Sequence, residues 1–197
     1  MPDYVAYHTC SQKGGPTIVL KDAPYYSTGK NPSTGKVIIP FLGRGYYFWQ
    51  ETKELEQSKR WGYLHYSNNY YVIKCLLRTE HTGNCKMLDL IGNLEHREYF
   101  RDKIKEVKTK LGGKTKISLV IHLLQKLDIK LGKQTHFPFH LIRASDDQYH
   151  STKTEIQFSD SEDNTFMNLG WERWIICLCR EKAVHLLKNE LAFSKPQ

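Results

Sequence analysis

Runs of alternating and β-branched residues open the chain and then recur between longer helical patterns. VAYHT (5–9) predicts a short strand, and the pair Gly14–Gly15 a turn after it. TIVLKDA (17–23) fits a short strand or a helix, and PYYSTGKNPSTGK (24–36) is an exposed loop rich in Pro, Gly, Ser and Thr. KVIIPFLG (36–43) then leads through a Gly-x-Gly turn into the aromatic run YYFW (46–49), a second strand. ETKELEQSKRWG (51–62) predicts a helix of about three turns ending on a glycine cap at Gly62. NYYVIKCLLRT (69–79) has the content of a buried strand, and KMLDL (86–90) of a shorter one.

The middle of the chain changes period. Tyr99, Phe100, Ile104, Val107 and Leu111 recur at helical spacing within EHREYFRDKIKEVKTKL (95–111), an amphipathic helix. GGKTK breaks it, and ISLVIHLLQKLDI (117–129) predicts a second, more apolar helix. FPFHLIRAS (137–145) returns to extended structure, and 146–165 reads as a polar, acidic loop. WERWIICLC (171–179) is the last strand expected, followed by a short helix over EKAVHLLKN (181–189). Short strands with helices grouped between them predict an α+β fold. A single domain over 1–197 is expected, with a helical insertion around 95–130 whose basic character extends to residue 133.

Composition narrows the class. A chain of 197 residues that is 40% hydrophobic and 25% charged suits one globular core. The first twenty residues do not resemble a signal peptide, and no run reaches the roughly 18 apolar residues of a membrane helix. A cytoplasmic protein with no membrane partner is therefore expected. The cysteines at 10, 75, 85, 177 and 179 are odd in number and lack metal-ligand spacing. They are expected to be reduced thiols, with no metal site. Net charge is +8, which favours phosphates, whether of nucleic acid or of a dinucleotide. Eleven Lys or Arg lie between Arg97 and Lys133, so the excess belongs to the inserted helices, as a solvated face or a nucleic-acid surface.

The candidate chemistry sits in FLGRGYYFW (41–49). Gly43 and Gly45 permit a tight turn and close approach of backbone to a ligand. Tyr46, Tyr47, Phe48 and Trp49 offer flat faces and hydroxyls for a planar ring. Upstream, His8 stands alone on its strand. Taken singly, such a His or Tyr is as well explained by core packing.

YHTC (7–10), GRGYYFW (43–49), MLDL (87–90) and FPFHLIRA (137–144) occur in an order that resembles the ADP-ribosyltransferase superfamily, in its poly(ADP-ribose) polymerase and diphtheria-toxin-like branch with a His-Tyr-Glu triad. Small bacterial or phage-type members are the most similar. The resemblance implies a split β-sheet core and NAD as co-substrate. It implies that His8 bonds a ribose hydroxyl of NAD and that the backbone of Thr9, where the family usually has Gly, holds the carboxamide. Cys10 stands at the usual Ser position. Tyr47 matches the triad Tyr that stacks on nicotinamide, with Gly43 and Gly45 forming its turn. Trp61, with Tyr63 as second choice, is the candidate for the other stacking ring. For the third triad position, one alignment selects Glu172 and another Trp174 or Ile175, and Glu155 is a further candidate. Some members carry Ile there and transfer a single ADP-ribose unit. By charge and proximity to the motif alone, basic residues such as Arg44, Lys59 or Arg60 are the candidates to neutralise the pyrophosphate.

Cleavage of the nicotinamide–ribose bond generates an oxocarbenium-like ribose, which a nearby carboxylate stabilises. The resemblance thus implies an NAD-dependent mono-ADP-ribosyltransferase of toxin, effector or defence type, with His8, Tyr47 and Glu172 as its catalytic set. Its acceptor would be a protein or a nucleic acid, and a toxin role leaves room for an antitoxin or immunity protein. Two alternatives keep the fold: a non-catalytic module that binds ADP-ribose or RNA, and an RNA-directed, NAD-dependent enzyme that removes a phosphate.

Overall fold

The computed structural model describes residues 3–27, 39–51, 55–78, 87–112, 116–133, 135–145, 155–157, 166–168, 174–179 and 186–194. Along the chain these form β1 (Tyr4–Ser11), α1 (Gly15–Asp22), β2 (Tyr46–Gln50), α2 (Glu56–Tyr66), β3 (Tyr70–Leu77), β4 (Met87–Asp89), α3 (Leu94–Leu111), α4 (Ile117–Leu131), β5 (Leu141–Ser145), β6 (Glu155–Gln157), β7 (Phe166–Asn168), β8 (Trp174–Leu178) and β9 (Leu186–Ser194). The fold is mixed α+β. One mostly antiparallel sheet runs β4-β5-β8-β2-β1-β3-β9, and β6 and β7 pair separately. β4 and β5 are parallel, so they need a crossover, and α3 and α4 supply it. The helices expected over 95–111 and 117–129 are thus present. The segment 17–23 resolves as helix up to Asp22, with Pro16 in its first turn and Ala23 as the extended C-cap.

Strand alternation sorts the side chains onto two faces. One face is continuous: Ala6, Phe48, Ile73, Leu141 and Ile176 pack beneath Val19 of α1. Phe48 is 1% exposed, and burying such a ring is worth about 2–3 kcal/mol. The other face is divided. Ile142, Ile175 and Cys177 pack against Val120, Ile121 and Leu124 of α4 and Phe100 of α3. Tyr7 and Val72 pack instead with Leu55, which leads into α2. The division falls between β1 and β2, whose pairing is confined to Tyr7–Trp49. By contrast, β1 pairs with β3 along its whole length, from Tyr4–Leu77 to Ser11–Tyr70.

Three expectations are corrected. The helix expected over 51–62 begins at Glu56 and runs through Gly62 to Tyr66. Its start is displaced because Glu51 serves as its cap from outside, its carboxylate accepting from the main-chain N–H of Gln57 (2.7 Å) and Ser58 (3.0 Å). Gly62 is an interior contact and not a C-cap: a Cβ there would meet the Tyr70 ring at 2.3 Å. The helix expected over 181–189 is also overturned at its described end, since Leu186–Ser194 forms β9. β9 pairs with β3 from Leu77–Leu186 to Tyr71–Ser194, with register shifts at Val72/Ile73 and Leu76/Leu77. The outer edge of β3 carries main-chain groups that need partners, and satisfying them outweighs local helix propensity. Finally, the loop expected over 146–165 contains β6, whose Glu155 pairs with Asn168 of β7.

Candidate functional site

Where β1 and β2 part, a cavity of about 730 Å³ opens, within the range of small-molecule sites. His8 to Ser11 of β1 form one wall and Tyr47 to Trp49 of β2 the other. The sheet is therefore parted at the place where the sequence set its candidate chemistry.

His8 spans the gap. The main-chain N–H of Tyr25 donates to its Nε2 (3.1 Å), which must then be unprotonated. Nδ1 consequently carries the proton and donates to the Tyr47 carbonyl oxygen (2.9 Å). The ring is 7% exposed and lies near Phe48, at 5.9 Å between centroids. His8 thus replaces a ladder contact between two strands and also ties down the 24–27 segment, which forms the cleft's rim with Tyr25 and Tyr26.

Tyr47 is held just as firmly. Its hydroxyl donates to the Gly43 carbonyl (2.6 Å) and accepts from the Leu42 N–H (2.8 Å), so it closes the turn that precedes its own strand. Burial raises its phenol well above the ordinary range, with Cys177 adding to the shift and the Leu42 bond opposing it. The two glycines serve this geometry and lie outside the cleft lining. Gly43 has φ +81°, and a Cβ would press on Ile121 of α4 at 2.9 Å. At Gly45 a Cβ would meet the Cys177 Sγ and the Leu178 carbonyl oxygen, both at 2.6 Å. Their positions answer the packing of α4 and β8.

Tyr7 pairs with Trp49, so alternation puts His8 and Phe48 on one face, and Thr9 and Tyr47 on the other. Thr9 Oγ1 donates to the Ser58 carbonyl (3.0 Å) and so fixes α2 against β1. Glu51 accepts from the Ser58 hydroxyl as well as from the α2 amides, and burial raises its carboxyl above the usual carboxylate range against these bonds. This anchoring delivers Trp61 and Tyr66 to the cleft. Trp61 is 42% exposed, stacks on His65 at 3.7 Å and leans on Trp49 at 6.0 Å. Tyr63, the second choice for the stacking ring, is exposed and absent from the lining. Cys10 lines the cleft as a neutral thiol, pushed up to about 12 by burial.

Of the residues considered for the third triad position, Ile175 lines the cleft. Trp174 lies away from it, its ring 4.6 Å from the Arg143 guanidinium. Glu172 lies outside the described residues, as does the side chain of Glu155. Among the described residues the cleft lining holds no carboxylate. The cations proposed for a pyrophosphate are also redistributed: Lys59 sits over the Phe193 ring at 5.1 Å, Arg60 is absent from the lining, and Arg44 faces a neighbouring cavity. Among the described residues, Lys13 is the Lys or Arg that lines the cleft itself.

Sequence reasoning missed Lys13, Tyr25 and Tyr66 as lining residues; the tyrosine pair after Pro24 was a signal without a stated role. It also left MLDL and FPFHLIRA without a physical link. The fold joins them, since Arg143 Nη1 donates to Asp89 Oδ2 (3.2 Å) and its Nε to Gln50 Oε1 (2.9 Å). Among the described residues no group of three or more His, Cys, Asp or Glu is arranged to hold a metal. No helix among them is long and apolar enough to cross a membrane.

Comparison with protein-family models, with curated proteins and with solved structures finds no match.

Proposed function

We propose that this chain is an NAD-dependent mono-ADP-ribosyltransferase that holds the dinucleotide in the β1–β2 cleft. The observation that carries the reading is the placement of His8, Thr9, Tyr47 and Trp61 around one cavity, with His8 bridging the strands. On this reading the nicotinamide ring stacks on Tyr47, and the carboxamide pairs with the Thr9 backbone. Trp61 covers the second face and Lys13 offsets pyrophosphate charge. The C1′–N1 bond then breaks, its electron pair leaving with neutral nicotinamide. The acceptor attacks C1′ and gives its proton to solvent. Positioning supplies much of the rate, because nicotinamide is already a good leaving group. Glu172 is the carboxylate assigned to stabilise the ribose cation. A toxin, effector or defence role, and residence in the cytoplasm, are parts of the same proposal.

Thr9 in the cleft wall, where the resemblance expects Gly, favours a second reading: a module that binds ADP-ribose or RNA without chemistry. NAD labelled on its adenylate phosphate, incubated with the folded chain and total protein or nucleic acid, separates the two. Release of nicotinamide with label on a macromolecule, lost in Glu172→Gln, is the expected result. Binding of ADP-ribose with no nicotinamide release would replace the transferase by the module.

A further inference from the structure

A second cavity, of about 640 Å³, adjoins the first and shares Tyr26 with it. Its walls are basic. His122 and Lys126 lie four residues apart, on one face of α4, and Lys133 follows the helix end. Arg44 joins them from the Gly43–Gly45 turn, which α4 packs against through Ile121. Among the described residues the lining holds one carboxylate, and it is already engaged: Asp128 accepts from the main-chain N–H of Thr135 (3.1 Å), His136 (2.8 Å) and Phe137 (2.8 Å). Among the described residues Arg44, Lys126 and Lys133 have no ion-pair partner.

The basic residues of α3 behave differently. Lys103 pairs with Glu106, Lys105 with Asp102 and Arg101 with Glu98, so half of its Lys and Arg are compensated on a solvated helix face, and Arg97, Lys108 and Lys110 line neither cavity. In the second cavity Arg44, Lys126 and Lys133 line one concave wall, where like charges repel until an anion enters. His122 registers this: burial, with Lys126 and Arg44 adding, lowers it below its usual range.

We propose that this cavity is a phosphate-binding site for single-stranded nucleic acid, and that the acceptor presented to the cleft is therefore a nucleic acid; the second clause rests on the transferase reading, the first does not. Three features favour a strand over an isolated phosphate. The cavity is several times larger than one phosphate needs. Lys126 and Lys130, four residues apart on α4, and Lys133 just past its end extend the row beyond a single anion. Tyr26, 44% exposed and edge-on to Tyr46 at 5.2 Å, stands between the two cavities as a surface on which a base can stack. A strand anchored by phosphate in the basic cavity would pass Tyr26 and bring its next nucleotide to the ribose carbon in the cleft.

The test uses the full chain without NAD and a fluorescein-labelled twelve-nucleotide RNA and its DNA counterpart, followed by anisotropy across a salt series. Binding is expected, and Lys126→Ala and Lys133→Ala should each weaken it several-fold and reduce the slope of log K against log salt by about 0.7. Lys105→Ala on α3 should leave both unchanged. Circular dichroism of each variant establishes that it is folded. No binding at low salt, an equal loss in the α3 variant, or preference for a phosphopeptide of matched charge would overturn the site. Oligonucleotide binding, with no nicotinamide release once NAD is added to the same mixture, would keep the site and remove the transferase reading.

Discussion

His8 donates through Nδ1 to the main-chain carbonyl of Tyr47, 2.9 Å away, across the gap between β1 and β2. Two residues on opposite faces of neighbouring strands are thereby joined because the strands part. Replacing the ring with methyl leaves the Tyr47 carbonyl and the Tyr25 N–H without a buried partner, at about 1–3 kcal/mol. His8→Ala should therefore lower the urea midpoint and weaken NAD together. If the variant keeps wild-type stability, the bridge is not what holds the strands.

Gly62 distinguishes packing from propensity. A helix-interior Gly→Ala change ordinarily gains about 1 kcal/mol. Here the added methyl would enter the Tyr70 ring at 2.3 Å, and overpacking of this kind costs about 1–3 kcal/mol. Gly62→Ala should be less stable in denaturant titration; a gain in stability would remove the close α2–β3 contact.

Asp128 sets an acid limit. Burial acts to raise its carboxyl, but the His136 and Phe137 amides, with Thr135 and the His136 ring, overcome it and hold the group below its usual value. A depressed folded-state pKa stabilises at pH above the unfolded value of 3.8, and that stability is lost as pH falls through the folded value. Wild-type stability should drop below about pH 4 more steeply than that of Asp128→Asn, which should be weaker at pH 7. Parallel pH profiles for the two would contradict the assignment.

Trp61 is exposed enough that removing it should spare the fold. Trp61→Ala is expected to keep the wild-type melting temperature within a few degrees while losing about 1–3 kcal/mol of NAD affinity, the worth of one stacked ring. Calorimetric titration reads both NAD affinities. Unchanged affinity would place the ligand away from α2.

Much of this arrangement was legible in the sequence because it depends on local pattern. The alternation of 5–9 and 69–79, and the helical spacing of Tyr99, Ile104 and Val107, report the face each residue buries, and β1, β3 and α3 follow. What was not legible depends on partners distant in the chain. Leu186–Ser194 has helix-forming residues, and only the open edge of β3 makes it a strand. Gly62 resembles a helix stop until Tyr70 is placed beside it. The roles of Gly43 and Gly45 are set by Ile121 and Cys177, more than 70 residues away in sequence. In the site, the sequence named His8, Tyr47 and Trp61, which the fold gathers, but not the bond between the first two, because strand divergence leaves no periodic trace.

The most direct measurement is the structure of the chain with carba-NAD, a dinucleotide analogue whose nicotinamide–ribose bond resists cleavage. The expected result is the dinucleotide in the β1–β2 cleft, with nicotinamide in contact with the Tyr47 ring and a ribose hydroxyl bonded to His8 in place of the Tyr25 amide. An empty cleft at saturating analogue, or the dinucleotide bound elsewhere on the chain, would contradict the account.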